Sequence, residues 1–233
     1  MTKTVHSDTY AAIDPTNINH SGHAVFITGG SRGIGKAIAL SFAKAGASFI
    51  AVTGRKPPVA LVPELEAAAK AAGRNIPHVL PIALEVTDQL AVKEAAALVE
   101  KEFGRIDVIV NNAGMFGGGP KIADSDPEEW WQIMDVNLRG PFLVTKYFVP
   151  LLLKSSEGVR TIVNVSSVGA HLTNAGRSSY QTSKLSLTRF MEHVTNEYRD
   201  DGLVAFSVHP GNIPTDIVGG LDGLPDFLKK GET

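Results

Sequence analysis

Apolar and polar positions along this chain follow two alternating periods. Six short runs, 24–28, 48–53, 79–84, 106–111, 161–165 and 203–208, are dense in Val, Ile, Leu, Phe and Ala. Runs of that length and composition predict strands buried on both faces. Longer segments with helical signals lie between them. Residues 34–45 end at Gly46, and residues 63–72 are rich in Ala and Glu and end at Gly73. Residues 88–103 follow Thr87, read as the N-cap, and stop at Gly104; a glycine just past a helix accepts the left-handed conformation. Asp126-Pro127-Glu128-Glu129 opens another helix with a cap, a proline at the first helical position and acids in the first turn. Connections this long favour parallel strands with helices on both faces of one sheet. The pattern therefore predicts a single doubly wound parallel α/β domain over residues 23–233. Residues 1–22 show no period and carry Asp14-Pro15, Asn17, Asn19 and Gly22, which predicts an N-terminal arm on the surface or partly disordered.

Composition narrows the function classes. With 233 residues, 43% hydrophobic and 20% charged, the chain suits one globular domain. The 22 Lys+Arg against 24 Asp+Glu leave no positive field to hold nucleic acid or anionic lipid. The absence of Cys excludes disulfides, zinc–thiolate sites, iron–sulfur clusters and a thiol nucleophile. Seven His occur without a ligand spacing, so no metal is expected. The first twenty residues hold no signal-peptide core, and the apolar stretch 142–153 is interrupted by Lys146 and Pro150 and too short for a bilayer. A cytoplasmic chain with neither membrane nor nucleic-acid partner is expected. Trp130 and Trp131 read as packing residues.

In doubly wound sheets, ligands sit beyond the carboxyl ends of the strands. The first run leads into Thr28-Gly29-Gly30-Ser31-Arg32-Gly33-Ile34-Gly35 and then a helix. Glycines there let the backbone approach a phosphate, and the helix start offers unpaired N–H groups. The spacing is G-x-x-x-G-x-G, not the common dinucleotide fingerprint G-x-G-x-x-G. After the second strand, where an acid would grip a ribose 2′-OH, stand Gly54 and Arg55. Together with Arg32, Arg55 suits a 2′-phosphate and so NADP(H) over NAD(H); the two arginines are also compatible with a solvated surface.

Further elements follow in order: Asn111-Asn112-Ala113-Gly114, then Val136-Asn137-Leu138-Arg139-Gly140, then Ser166-Ser167, then Tyr180-Gln181-Thr182-Ser183-Lys184, then Pro210-Gly211-Asn212-Ile213-Pro214-Thr215. In that order, each at its strand end, they resemble the short-chain dehydrogenase/reductase family over roughly residues 23–216. The resemblance implies a Rossmann-like fold and an NADP(H)-dependent ketoreductase type of activity. It implies Tyr180 as catalytic acid/base, Lys184 as its partner, Ser167 rather than Ser166 as the catalytic serine, and Asn137 as the fourth member, which in the family distorts a helix. Gly29, Ser31, Arg32, Gly33, Ile34 and Gly35 would hold the cofactor's phosphates, with Arg55 at the ribose. Asn112, Ala113 and Gly114 would line its adenosine side. Glu85 and Val86 fall where the family has Asp-Val beside the adenine. Ile213 and Thr215 would hold the carboxamide, and Tyr180 and Lys184 would also touch the cofactor.

Residue chemistry supports those roles. Tyr180 and Lys184 are four apart, so a helix places both on one face. An ammonium beside a phenol favours phenolate, and the expectation is a Tyr180 pKa drawn down by Lys184. The segments 115–120, 171–177 and 218–227 should wall a pocket of mixed, largely uncharged character, for a small, moderately apolar carbonyl compound or the matching alcohol. The family continues through a further helix and a seventh strand, which is apparently absent here, with the chain ending at Thr233 either by truncation or by a sheet that stops at strand six. A homodimer or homotetramer is expected. A non-catalytic NADP(H)-binding regulatory module, or a dehydratase or epimerase on the same scaffold, is an alternative that the motifs leave open.

Overall fold

The computed structural model describes residues 9–155, 158–211, 213, 215 and 216. Six strands form one parallel sheet: β1 Ala24–Ile27, β2 Phe49–Gly54, β3 His78–Ala83, β4 Val108–Asn111, β5 Thr161–Val165 and β6 Val204–Val208. Their spatial order is β3-β2-β1-β4-β5-β6. Each expected run thus forms a strand, with ends shifted by at most two residues. Pairing is in register, with Phe26 opposite Ala51 on one side and Ile109 on the other. No seventh strand occurs among the described residues; Ile217, Val218 and the expected wall at 218–227 lie outside them.

Successive side chains of a strand point to opposite faces, and the core divides accordingly. Phe26, Ile109 and Ile162 join Val99, Leu143, Phe148 and Met191 on one face. Val25, Ile27, Ile50 and Val52 join Ala39, Ala43 and Leu65 on the other. The helices α1 Gly33–Lys44 and α2 Val62–Ala71 cover the second face, and α3 Gln89–Phe103, α4 Pro127–Met134, α5 Gly140–Lys154 and α6 Ser178–Tyr198 complete the set. Gly46, Gly73 and Gly104 have φ of +84°, +68° and +70°, the left-handed conformation expected past these helices.

Two local expectations change. The N-cap of α3 is Asp88, whose carboxylate accepts from the N–H of Leu90 and Ala91; Thr87 instead gives its hydroxyl to Glu85. The helix α5 contains Pro150. Trp130 donates its indole N–H to Ser178 Oγ at 3.0 Å, tying α4 to α6, whereas Trp131 is 62% exposed.

The described part of the arm lies on the surface and is docked. Arg74 donates to the carbonyls of Thr16 and Ile18, both at 2.8 Å, and the His20 N–H donates to the Ala45 carbonyl. At the opposite edge of the sheet, Val204 and Phe206 of β6 are exposed. No helix of the described residues is long and apolar enough to cross a membrane.

Candidate active site

The sheet order reverses between β1 and β4, the place where doubly wound sheets take their ligands beyond the strand ends. The loops after β1 and β4 are stitched together at that point. Thr28 Oγ1 accepts from the N–H of Asn112 and of Ala113, both at 3.0 Å. Asn112 Nδ2 in turn donates to the carbonyls of Thr28 and Gly29. Thr28 opens the glycine loop in the sequence but carries no assigned role there; a hydroxyl at the last position of a strand, just before a glycine run, is the available signal.

Glycine is required in this loop by space as well as by torsion. Gly29 and Gly33 have φ of +64° and +55°. A Cβ on Gly35 would lie 2.3 Å from the Gly29 carbonyl oxygen and 2.4 Å from Asn112 Nδ2. One on Gly29 would lie 2.9 Å from Ala113 Cα. The N-cap of α1 is Arg32, and no side chain caps the helix. Its first N–H groups, at Gly33, Ile34 and Gly35, thus have no side-chain acceptor at the cap, and the glycines keep the approach open. This arrangement fits a pyrophosphate. Ser31 packs against Gly54 at the end of β2, with 3.3 Å from a Gly54 Cβ to Ser31 Oγ. Arg55 is exposed beside it, and Arg32 pairs with Asp216 at 3.0 Å, both side chains largely in solvent.

On the adenine side, Val86 is buried and Glu85 is exposed, its carboxylate accepting from the Thr87 N–H and hydroxyl. Ile213 is exposed, and the Thr215 methyl lies 3.4 Å from where a Gly33 Cβ would stand. That contact brings the segment after β6 to the phosphate loop.

The other candidates converge between β4, β5 and α6. Asn137 is fully buried in a π-helical turn, Asp135–Arg139, joining α4 to α5. Its Oδ1 accepts from Met115 N–H at 2.7 Å, and its Nδ2 donates to the Met115 carbonyl at 2.8 Å and Ser183 Oγ at 3.0 Å. Ser183 Oγ donates on to the Tyr180 carbonyl. Ser183 likewise carries no role assigned from the sequence, although it sits three positions after Tyr180 and so on the same side of a helix. A Cβ on Gly114 would stand 3.3 Å from Asn137 Oδ1 and 3.7 Å from Lys184 Nζ, so a bare backbone separates the two.

Lys184 is buried and donates to the Val165 carbonyl at 2.9 Å. Burial pushes its pKa down to about 8. The ammonium lies 5.8 Å from the centre of the Tyr180 ring. Burial raises the Tyr180 phenol above its ordinary value, and a hydrogen bond from Ser167 opposes that rise. The expected downward pull from Lys184 is not found: burial sets the direction, and only Ser167 opposes it. Ser167 Oγ also accepts from the Gly169 N–H at 3.0 Å, which fixes its rotamer. Ser166 Oγ faces the Lys184 carbonyl and Thr188 instead, away from the phenol.

Comparison with known proteins gives a consistent picture. A family model described as short chain dehydrogenase matches residues 23–222. The short chain dehydrogenase pigC of Monascus ruber is 54% identical over 98% of this chain and 75% of its own length. The short chain dehydrogenase tazN of Aspergillus terreus is 53% identical over 98% of this chain, which spans 49% of that protein. Among solved structures, a metagenomic short-chain oxidoreductase in complex with NADP is 32% identical with a TM-score of 0.73, covering 85% of this chain and 87% of that one. A short-chain type dehydrogenase/reductase from Mycobacterium marinum gives 0.77 at 30% identity, covering 90% and 79%.

Proposed function

The chain belongs to the short-chain dehydrogenase/reductase family of oxidoreductases, and on that footing we propose that it moves hydride between NADP(H) and a small, moderately apolar carbonyl compound or secondary alcohol. The observation that carries this reading is the meeting of Tyr180, hydrogen-bonded to Ser167, with Lys184 one helical turn on, at the same sheet end as the uncapped, glycine-lined start of α1.

When bound, the nicotinamide supplies or accepts the hydride. The protein's part is to polarise the substrate oxygen and to manage its proton. In reduction, negative charge grows on that oxygen, and the hydroxyls of Ser167 and Tyr180 stabilise it by donating hydrogen bonds. Burial keeps the phenol protonated at neutral pH, which is the form an acid needs. Tyr180 Oη then delivers its proton, and the buried Lys184 ammonium stabilises the phenolate left behind. With a pKa of about 8, Lys184 is mostly charged at neutral pH. Asn137 acts through others: it holds Met115 on one side and, through Ser183, the first turn of α6 on the other.

Two features support NADP(H). Arg55 follows β2 beside Ser31, where a ribose 2′-phosphate is expected, and Arg32 stands next to Ser31 in the chain and is free to turn to it from its exposed pairing with Asp216. The exposed Arg32–Asp216 pair is a weak competitor, since such pairs are worth about 0–1 kcal/mol, whereas a phosphate offers charge-assisted bonds to both guanidiniums. The NADP-bound relative of similar structure agrees with that choice. The test is nicotinamide absorbance with NADPH and NADH against a panel of apolar ketones and aldehydes. Turnover with NADPH well above NADH is expected, and failure of the protein to bind NADPH at all would overturn the proposal.

A further inference from the structure

Two loops close over Tyr180. The first, 115–119, follows β4; the second, 174–177, precedes α6. Phe116 meets Tyr180 edge-on, with ring centres 4.8 Å apart and planes at 73°. The Arg177 guanidinium lies 4.4 Å from the centre of the same Phe116 ring. Arg177 also donates to the Gly117 carbonyl at 3.2 Å, and the Gly119 N–H donates to the Gly176 carbonyl at 2.9 Å. The backbones cross so closely that a Cβ on Gly118 would stand 2.2 Å from the Gly176 carbonyl oxygen, and one on Gly176 would stand 2.4 Å from that of Gly119.

Each loop is anchored from behind. Asn137 grips both backbone groups of Met115. Gln181, on the second turn of α6, exchanges two hydrogen bonds with Asn174. Phe116 therefore sits between a fixed point at Met115 and a second at Gly117, and the second is the hydrogen bond from Arg177. A glycine-rich loop with three successive glycines, Gly117-Gly118-Gly119, has no rigidity of its own.

We propose that Arg177 is a positioning residue that clasps the 115–119 loop shut and so holds Phe116 against Tyr180 as the wall of the substrate pocket. The guanidinium stacks on the outer face of the ring and ties down the next carbonyl, two contacts that a planar, multi-donor cation makes together. With the clasp closed, an apolar face adjoins the phenol and water is kept from it. With the clasp open, the loop wanders and the substrate loses its wall, while the cofactor's phosphate loop after β1 is untouched.

The substrate arm of the test rests on the role proposed above for Tyr180; amide exchange does not. Arg177→Ala and Gly118→Ala are compared with the wild type by hydrogen exchange at the Gly119 amide, by steady-state kinetics and by NADPH titration. Both variants should speed Gly119 exchange and raise the substrate KM about tenfold, with kcat changed less and NADPH affinity unaltered. Arg177→Lys, which keeps a cation over the ring, should recover part of the KM. Unchanged Gly119 exchange in both variants would overturn the clasp even if the enzyme had no turnover. A loss falling on kcat and NADPH affinity rather than KM would overturn its role in the substrate wall.

Discussion

Replacing Lys184 by Met should raise stability while removing activity. The lysine is held in a buried position against the Val165 carbonyl, and burial brings its pKa from 10.5 to about 8. A displacement of that size corresponds to about 3 kcal/mol against the charged form in the folded chain. The sign follows from proton counting. Below pH 8 the group is charged in both folded and unfolded chains, and the folded chain carries the whole cost. Between pH 8 and 10.5 the unfolded chain binds more protons, so wild-type stability rises with pH, by up to about 1.4 kcal/mol per pH unit. Above that window the cost is gone. Met fills similar space but leaves the Val165 carbonyl without this donor, a loss of about 1–2 kcal/mol. The variant should therefore be more stable by about 1–2 kcal/mol at pH 7, or a few degrees in Tm for a chain of this size. By about pH 10 the order should reverse. Urea unfolding followed by circular dichroism at pH 7, 8.5 and 10 measures this. A variant less stable than wild type at pH 7, or a gap that does not change with pH, would refute the reasoning.

Three further outcomes are expected. Asp107 is fully buried and accepts from the Ala24 N–H at 2.7 Å and from Arg105 at 2.9 and 2.6 Å; Asp107→Ala should cost about 3 kcal/mol in urea unfolding, since it strands the buried Ala24 N–H and removes two charge-assisted bonds from Arg105. Gly35→Ala places a Cβ against the Gly29 carbonyl and Asn112, so NADPH affinity in a fluorescence titration should fall by at least about tenfold. Arg55→Ala should weaken NADPH binding by about tenfold or more and leave NADH nearly unchanged, because only the former carries the 2′-phosphate; an equal loss for both would remove Arg55 from that role.

Much of this architecture was legible in the sequence. A strand buried on both faces carries an unbroken apolar run, so β1 at Ala24–Ile27 could be read directly, whereas β6, read from the same signal, leaves Val204 and Phe206 exposed; glycines such as Gly104 marked helix ends by their forced torsion. The caps were harder. Thr87 and Asp88 are adjacent and both able to cap, and only the backbone decides that Asp88 does. In the site, the resemblance to the family implied Tyr180, Lys184, Ser167 and Asn137 as one group. It could not give the direction of the Tyr180 shift, which depends on how deeply the phenol is buried. Nor could it give the Phe116–Arg177 contact, which joins residues sixty apart through loops with no regular pattern. Ser183 and Thr28 lie within the quoted motifs, but their work depends on contacts from distant segments, Asn137 for the one and Asn112 and Ala113 for the other.

The proposed reaction turns on the proton of the Tyr180 phenol. Tyr180→Phe keeps the ring, and with it the contact with Phe116, and removes only the hydroxyl. Steady-state oxidation of NADPH by a ketone that the wild type reduces, run beside an NADPH binding titration, gives the most direct measurement. The account predicts turnover reduced by at least about a thousandfold with NADPH affinity within a few-fold of wild type. Turnover within about tenfold of wild type would contradict it.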